Sequence, residues 1–326
     1  MGILRGCGGM ADASDSKSDA ARHVGSTPTT PTSSHPPSPG TDPGAEPTRW
    51  VPRGMALARN VNRILGKRWP AVVAWLARRH FLIPRRLPAR PWELAGLGLA
   101  RPVEILPGLA GLHWEGAGPR ILCLHGWEGR ASHFLAVGDR LAQRGFEVWS
   151  LDGPAHGRSV GRLAHPVAFA EALLAVDAVH GPFHGVIGHS MGAASVAYAR
   201  TLGLRAERLV LMAGPLRSAE VLGRFMDMME LVEAARGPFV RMVESLVGRP
   251  VSLLDLAALA PHLDRPGLII HGTADPDVPW QDAEVLAAAW PESDLMLLEG
   301  VGHRRILRDE VVLDRIEAFL ETEDSV

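Results

Sequence analysis

The chain has 326 residues, of which 46% are hydrophobic and 21% charged, the profile of an ordinary globular protein with material for a sizeable core. Its formal net charge of −2 gives no overall attraction to nucleic acid, and no run approaches the roughly 18 uninterrupted apolar residues of a membrane-spanning helix. Two cysteines, Cys7 and Cys123, make neither a disulfide framework nor a metal-ligand spacing, and the N-terminus lacks the apolar run of a secretory signal, so a reducing cytoplasm is the expected compartment.

Charge is nevertheless segregated along the chain. Arg49 to Arg101 carries 12 Lys and Arg against the single acid Glu93, whereas Pro102 to Val326 carries 19 Arg against 30 acids. Two segments of about +11 and −11 attract each other.

Residues 1–48 are rich in Ser, Thr, Pro, Gly, Asp and Ala and nearly free of large apolar side chains, the composition of a disordered tail. Nothing in the tail looks necessary for a fold, so Met10 or Met55 serves equally well as a start. Residues 49–101 form a basic extension, in which Leu57, Val61, Ile64, Leu65, Trp69, Val72 and Leu76 recur at helical spacing. Pro70 suits the first turn of a second helix rather than the interior of one long helix. For these two amphipathic helices, over residues 55–79, docking on the acidic catalytic domain is favoured over peripheral contact with an anionic membrane. Nucleic-acid binding has no accompanying recognition motif.

From residue 102 to 322 short apolar runs alternate with helical stretches, the pattern of a mostly parallel sheet covered on both faces. Strands are expected at 103–106, 111–115, 120–125, 146–151, 184–189, 207–213, 266–271 and 294–298. Helices are expected at 131–144, 166–180, 191–203, 281–290 and 308–322. The interval 215–263 interrupts the alternation with Met-rich helical sequence and reads as a small inserted cap. Its methionines, Met226, Met228, Met229 and Met242, suit ordinary helix packing better than an adaptable lid over an acyl chain.

Gly188-His189-Ser190-Met191-Gly192 follows an apolar run and opens a small-residue helix. Strand, tight turn and helix are the frame in which a serine hydroxyl is presented as a nucleophile, with glycines on either side to allow the turn. Serine at neutral pH needs a base to take its proton, and the base needs an acid to orient it. Both follow in chain order. Asp275 lies in His271-Gly-Thr-Ala-Asp-Pro-Asp-Val-Pro279 after one strand, and His303 in Glu299-Gly-Val-Gly-His303 after the next. Asp277 is the competing acid, with Asp275 favoured. The carboxyl ends of parallel strands are where open sheets assemble their sites.

An oxyanion needs preorganised donors. The backbone amides of Met191, after the nucleophile, and Trp127, in Leu124-His-Gly-Trp-Glu-Gly129, are the candidates. His125 and His156 read as histidines that hydrogen-bond the backbone in turns, and His189 as packed beneath the nucleophile turn. Glu128, Arg130 and His133 read as a solvated helix start rather than substrate contacts.

His125-Gly126-Trp127, Asp152 to Ser159, Gly188 to Gly192, the Asp275 loop and Gly302-His303 together resemble the α/β-hydrolase superfamily over about residues 102–322, and within it the branch of bacterial carboxylesterases and lysophospholipase-like or monoacylglycerol-lipase-like enzymes. The resemblance implies an eight-stranded, mostly parallel sheet with a helical cap. It also implies hydrolysis of a small-molecule acyl ester through an acyl-enzyme, without a metal or organic cofactor. A thioesterase or acyltransferase would use the same residues, and a non-catalytic ligand- or membrane-binding protein is the reading from another class. The basic extension is not part of the common fold.

Overall fold

The computed structural model describes residues 53–91, 93 and 96–321. The expected disordered tail, residues 1–48, lies outside them. Two helices come first, α1 (Arg53–Leu65) and α2 (Pro70–Leu82). Pro70 takes the first turn of α2, where its missing N–H leaves no helical hydrogen bond unmade.

Eight strands follow: β1 (Arg101–Leu106), β2 (Leu109–Trp114), β3 (Arg120–Leu124), β4 (Glu147–Leu151), β5 (Phe183–His189), β6 (Ala206–Met212), β7 (Gly267–Gly272) and β8 (Ser293–Leu298). They form one sheet in the order β1-β2-β4-β3-β5-β6-β7-β8. The pairs β1/β2 and β2/β4 are antiparallel and the rest parallel. The eight-stranded, mostly parallel sheet expected from the apolar runs is therefore present. Its central strands read as unbroken apolar stretches because both faces are covered.

One face is packed by α3 (Leu135–Gln143) and α10 (Glu310–Glu321). The other holds α2, α4 (Pro166–His180), α5 (Met191–Thr201) and α9 (Gln281–Ala289), together with the segment between β6 and β7. That segment folds as α6 (Ser218–Met228), α7 (Glu233–Val247) and the single turn α8 (Leu256–Leu259). Met226 and Met229 are buried in it while Met228 is exposed. Residues 131–134, expected to begin the helix, form a 3-10 turn instead. The Ala131 N–H is held at 2.7 Å by Asp152 Oδ1 and the Ala131 carbonyl by Ser150 Oγ, which fixes this entry before the α-helix begins.

The basic helices meet the rest of the molecule chiefly through apolar packing rather than ion pairs. Val73, Ala74, Ala77 and Leu82 of α2 are buried in the same cluster as the sheet. Phe81 packs on Phe225 and Phe239, with ring centroids 4.9 and 5.7 Å apart. From α1, Arg59 Nε and Asn62 Nδ2 donate to the Met228 and Met229 carbonyls that end α6. Electrostatic docking was the expectation. Instead, among the described residues, Arg63, Lys67, Arg68, Arg78 and Arg79 meet no carboxylate, because the helix face that docks is the uncharged one.

Register levels the strand ends. Leu124 pairs with Gly188 and Gly188 with Leu211, while Met212 pairs with Ile270 and Ile270 with Met296. The loops leaving β3, β5, β7 and β8 thus emerge at one edge, carrying Trp127, Ser190, Asp275 and His303.

Candidate active site

Between β5 and α5, Ser190 adopts φ 57° and ψ −123°, a conformation that costs a non-glycine residue about 1–3 kcal/mol. The turn is possible because its neighbours lack side chains. A Cβ on Gly188 would lie 2.6 Å from the Gly192 carbonyl oxygen, and one on Gly192 would lie 2.4 Å from that of Leu124. Ser190 itself is pinned by its N–H to the Met212 carbonyl (2.8 Å) and by its carbonyl to the Ala193 N–H (2.9 Å). Met191 is the first residue of α5, so its N–H has no partner within the helix and is a ready donor.

The β3 exit loop lies against the nucleophile. A Cβ on Gly126 would fall 2.6 Å from Ser190 Cβ and 3.0 Å from Ser190 Oγ, so glycine alone allows this approach. His125 is fully buried, donates from Nδ1 to the Gly126 carbonyl (2.7 Å) and accepts the Gly153 N–H at Nε2 (2.9 Å). Both ring nitrogens are thus committed to one neutral tautomer. Burial and the neighbouring His156 ring hold its pKa well below the ordinary histidine value. His156 accepts the Glu128 N–H at Nε2 (2.9 Å) and donates from Nδ1 to the Pro154 carbonyl (3.0 Å). As the sequence suggested, both ring nitrogens of each of these two histidines bond backbone groups.

Glu128, Arg130 and His133 are not a solvated helix start. Glu128 has φ 52°, and its carboxylate is gripped by Arg85 through Nε (2.8 Å), Nη2 (2.6 Å) and the backbone N–H (3.1 Å). Burial opposes its charge, but Arg85 outweighs it and keeps the carboxyl below its usual value. Arg130 pairs with buried Glu93 at 3.5 Å, and Glu93 also accepts the Ser132 hydroxyl at 2.7 Å. Burial pushes His133 down to about 4, helped by Arg304. Tertiary partners from the extension, invisible to local reading, take these side chains out of solvent.

Asp275 and His303 meet: His303 Nδ1 donates to Asp275 Oδ2 at 2.7 Å. The Asp275 side chain is 0% exposed and heavily bonded. Its Oδ1 accepts the Asp277 and Val278 amides at 2.8 and 2.9 Å, and its Oδ2 also lies 3.2 Å from His271 Nε2. Burial alone would raise its pKa, yet the hydrogen bonds from His271 and His303 hold it far below the usual carboxylate range. Asp277, the competing acid, is exposed and contributes its amide to Asp275 instead. With Nδ1 protonated, the lone pair of His303 sits on Nε2, the tautomer a general base requires.

His303 is tied to the nucleophile turn from below, where His189 Nε2 donates to the His303 carbonyl at 2.8 Å. Burial pushes His189 down to about 3, so it stays a neutral strut. Ligand atoms of Asp275, Asp277 and His303 lie within 4.8 Å of one another. The 2.7 Å Asp275–His303 contact is nonetheless a hydrogen bond, since two ligands of one zinc ion stand roughly 3.3 Å apart.

The family follows from the sheet, the turn and a profile match. Residues 121–315 match the profile described as Alpha/beta hydrolase family. The chain belongs to that family. No curated protein matches it. Solved structures of the alpha/beta hydrolase fold are similar at low identity. An esterase of Pyrococcus furiosus is 20% identical with a TM-score of 0.55, over 74% of this chain and 97% of that one. An esterase of Exiguobacterium antarcticum is 18% identical with a TM-score of 0.52, over 69% and 100%. A bromoperoxidase of Bacillus anthracis is likewise 18% identical with a TM-score of 0.52, over 68% and 100%. Such identities speak for the fold alone, and the differing names show how many chemistries it carries.

Sequence reading missed two contributors to this alpha/beta hydrolase site, Arg85 on the Glu128 carboxylate and His271 on Asp275, and the particular partners of two histidines it had singled out, His156 on the Glu128 amide and His189 on the His303 carbonyl. Three of these contacts join residues far apart in the chain, and the fourth, His271 on Asp275 four residues on, depends on how the loop after β7 turns.

Proposed function

We propose that this protein is a serine hydrolase of carboxylic esters, working through Ser190, His303 and Asp275. The observation that carries the reading is the buried, multiply bonded Asp275 carboxylate on His303 Nδ1, at the same edge of the sheet as a serine held in a strained strand-to-helix turn.

His303 Nε2 takes the Ser190 proton as Oγ attacks the ester carbonyl, and Asp275 stabilises the resulting imidazolium. The carbonyl oxygen, now anionic, accepts the amides of Met191 and Trp127. His303 returns the proton to the departing alcohol, leaving an acyl group on Ser190. Water, deprotonated by His303, then releases the acid and restores the hydroxyl. Every step is served by groups of this chain.

Hydrolysis of 4-nitrophenyl esters from acetate to palmitate by the wild type and by Ser190→Ala tests the proposal. Turnover should fall by at least about a thousandfold in the variant. Equal turnover in both proteins overturns it. Adding an alcohol or thiol acceptor to the same assay separates hydrolysis from acyl transfer.

A further inference from the structure

We infer that the outer face of α1 and α2, extended by the C-terminal half of α7, is a docking surface for an anionic lipid membrane. This surface does not depend on the hydrolase reading.

Exposed large apolar side chains are concentrated here. Ile64 is 70% exposed, Trp69 and Val72 each 49%, and Trp75 44%. Trp69, Val72 and Trp75 recur every three residues, from the residue before α2 into its first half, opposite the buried Val73, Ala74 and Ala77. Beside Trp75 a shallow cleft of about 480 Å³ continues the surface over Ala71, Pro238 and the exposed Leu246 of α7. Isolated exposed apolar residues need no explanation, but a contiguous group with two tryptophans marks a surface that works against something.

The charges say what that partner is. No Asp or Glu occurs between Arg49 and Trp92. Lys67, Arg68, Arg78 and Arg79 flank the apolar row, and Arg241 joins them from α7. Arg68 and Arg78 lie over the Trp69 and Trp75 rings at 5.8 and 5.3 Å, which leaves indole and guanidinium together at the surface. Tryptophan at headgroup level with basic residues around it is the composition of helices that lie in a bilayer interface. No helix of the described residues is long and apolar enough to cross a membrane, so contact of this kind is peripheral.

Other occupants fit less well. From Ala11 to Arg49 the only large apolar residue is Val24, so that stretch supplies no apolar cover. A second copy would set two positive faces against each other. A nucleic acid would satisfy the charges and leave Ile64, Val72 and Leu246 unburied.

Co-sedimentation of the full chain carrying Ser190→Ala, which removes the proposed nucleophile, tests the surface with vesicles of phosphatidylcholine alone or mixed with phosphatidylglycerol. Binding should require phosphatidylglycerol and weaken with added salt. Trp69→Ser combined with Trp75→Ser should reduce it by more than about tenfold, and Arg68→Gln and Arg78→Gln by roughly fivefold each. Unchanged circular dichroism and melting temperature would show that these surface variants remain folded. Absence of binding, or equal binding by the folded variants, overturns the inference. So does a dimer in light scattering that the tryptophan pair converts to monomer, or preferential binding of duplex DNA.

Discussion

His156 accepts the backbone N–H of Glu128 at 2.9 Å, which removes that amide from the donors at the tip of the β3 exit loop and leaves the neighbouring Trp127 amide as the loop's proposed oxyanion donor. The loop is held from three directions. His125 fixes Gly126 from below, His156 fixes the Glu128 amide from one side, and Arg85 fixes the Glu128 carboxylate from the other. Electrostatic catalysis depends on donors that do not have to reorganise, so these three contacts belong to the proposed chemistry although none touches substrate.

Replacing His156 by Phe keeps the ring volume and deletes the acceptor. The Glu128 amide is then unpaired or turns toward the site, and an unsatisfied buried amide costs about 1–3 kcal/mol. A lower melting temperature is expected together with a fall in kcat of about tenfold or more, while KM changes little, because a displaced oxyanion donor weakens the transition state more than the bound ester. Steady-state kinetics on a 4-nitrophenyl ester would check it, and a KM effect alone would contradict it.

Arg85 offers a planar fork to Glu128, and lysine cannot reproduce two parallel bonds. Arg85→Ala is expected to lower kcat by about tenfold, and Arg85→Lys to recover part of that loss through its single charge. Glu128→Gln, which keeps shape and removes charge, should resemble Arg85→Lys. Equal activity in all three would mean that the pair only decorates the loop.

Acid should destabilise the fold through its buried neutral histidines. His189 and His133 are pushed from 6.5 to about 3 and about 4, so between those values and 6.5 the unfolded chain binds protons that the folded chain refuses. Stability is therefore full above about pH 6.5 and falls as pH drops toward 3, with a slope of up to about 1.4 kcal/mol per pH unit for each such histidine. Asp275, held below its ordinary value of 3.8, adds a further loss as pH falls below that value. Urea unfolding from pH 4 to 7 would measure the slope. In His189→Gln, which retains a donor for the His303 carbonyl, it should be shallower by about one proton.

Much of the fold was legible because it depends on local pattern. The strands announced themselves as short apolar runs such as Ile121 to Leu124 and Val186 to Ile187, buried on both faces, and the serine turn through glycines at positions 188 and 192 that no other residue could fill. The meeting of Asp275 and His303 was foreshadowed because their loops follow strands in order. Arg85 was not, since nothing in Pro84-Arg-Arg-Leu says that the first arginine crosses to Glu128, 43 residues away. The basic helices misled for the opposite reason. Their charges are a strong sequence signal, yet charge stays in water and the weaker signal, Val73, Ala74, Ala77 and Phe81, directs the docking.

Gly126→Ala gives the sharpest test of how close the β3 exit loop stands to the serine. The new methyl group would lie 2.6 Å from Ser190 Cβ and 3.0 Å from both Ser190 Oγ and the His189 carbonyl oxygen. Retreat of the loop is resisted because the Gly126 carbonyl is bonded by the His125 ring and by the Gly129 N–H (3.1 Å). Gly126 has no positive φ, so alanine adds no backbone strain of its own and the damage is steric and local. An ångström of displacement between nucleophile and donors costs about a hundredfold in rate. The expected outcome is a fall in kcat of that order, with slow fluorophosphonate labelling of Ser190 and only a modest drop in melting temperature. Gly192→Ala is the control, because its methyl would lie 2.4 Å from the backbone oxygen of Leu124 in the central sheet and should impair folding as well as activity. Full activity in Gly126→Ala would mean that the loop can leave the serine without consequence, and the assignment of Trp127 as an oxyanion donor would fall with it.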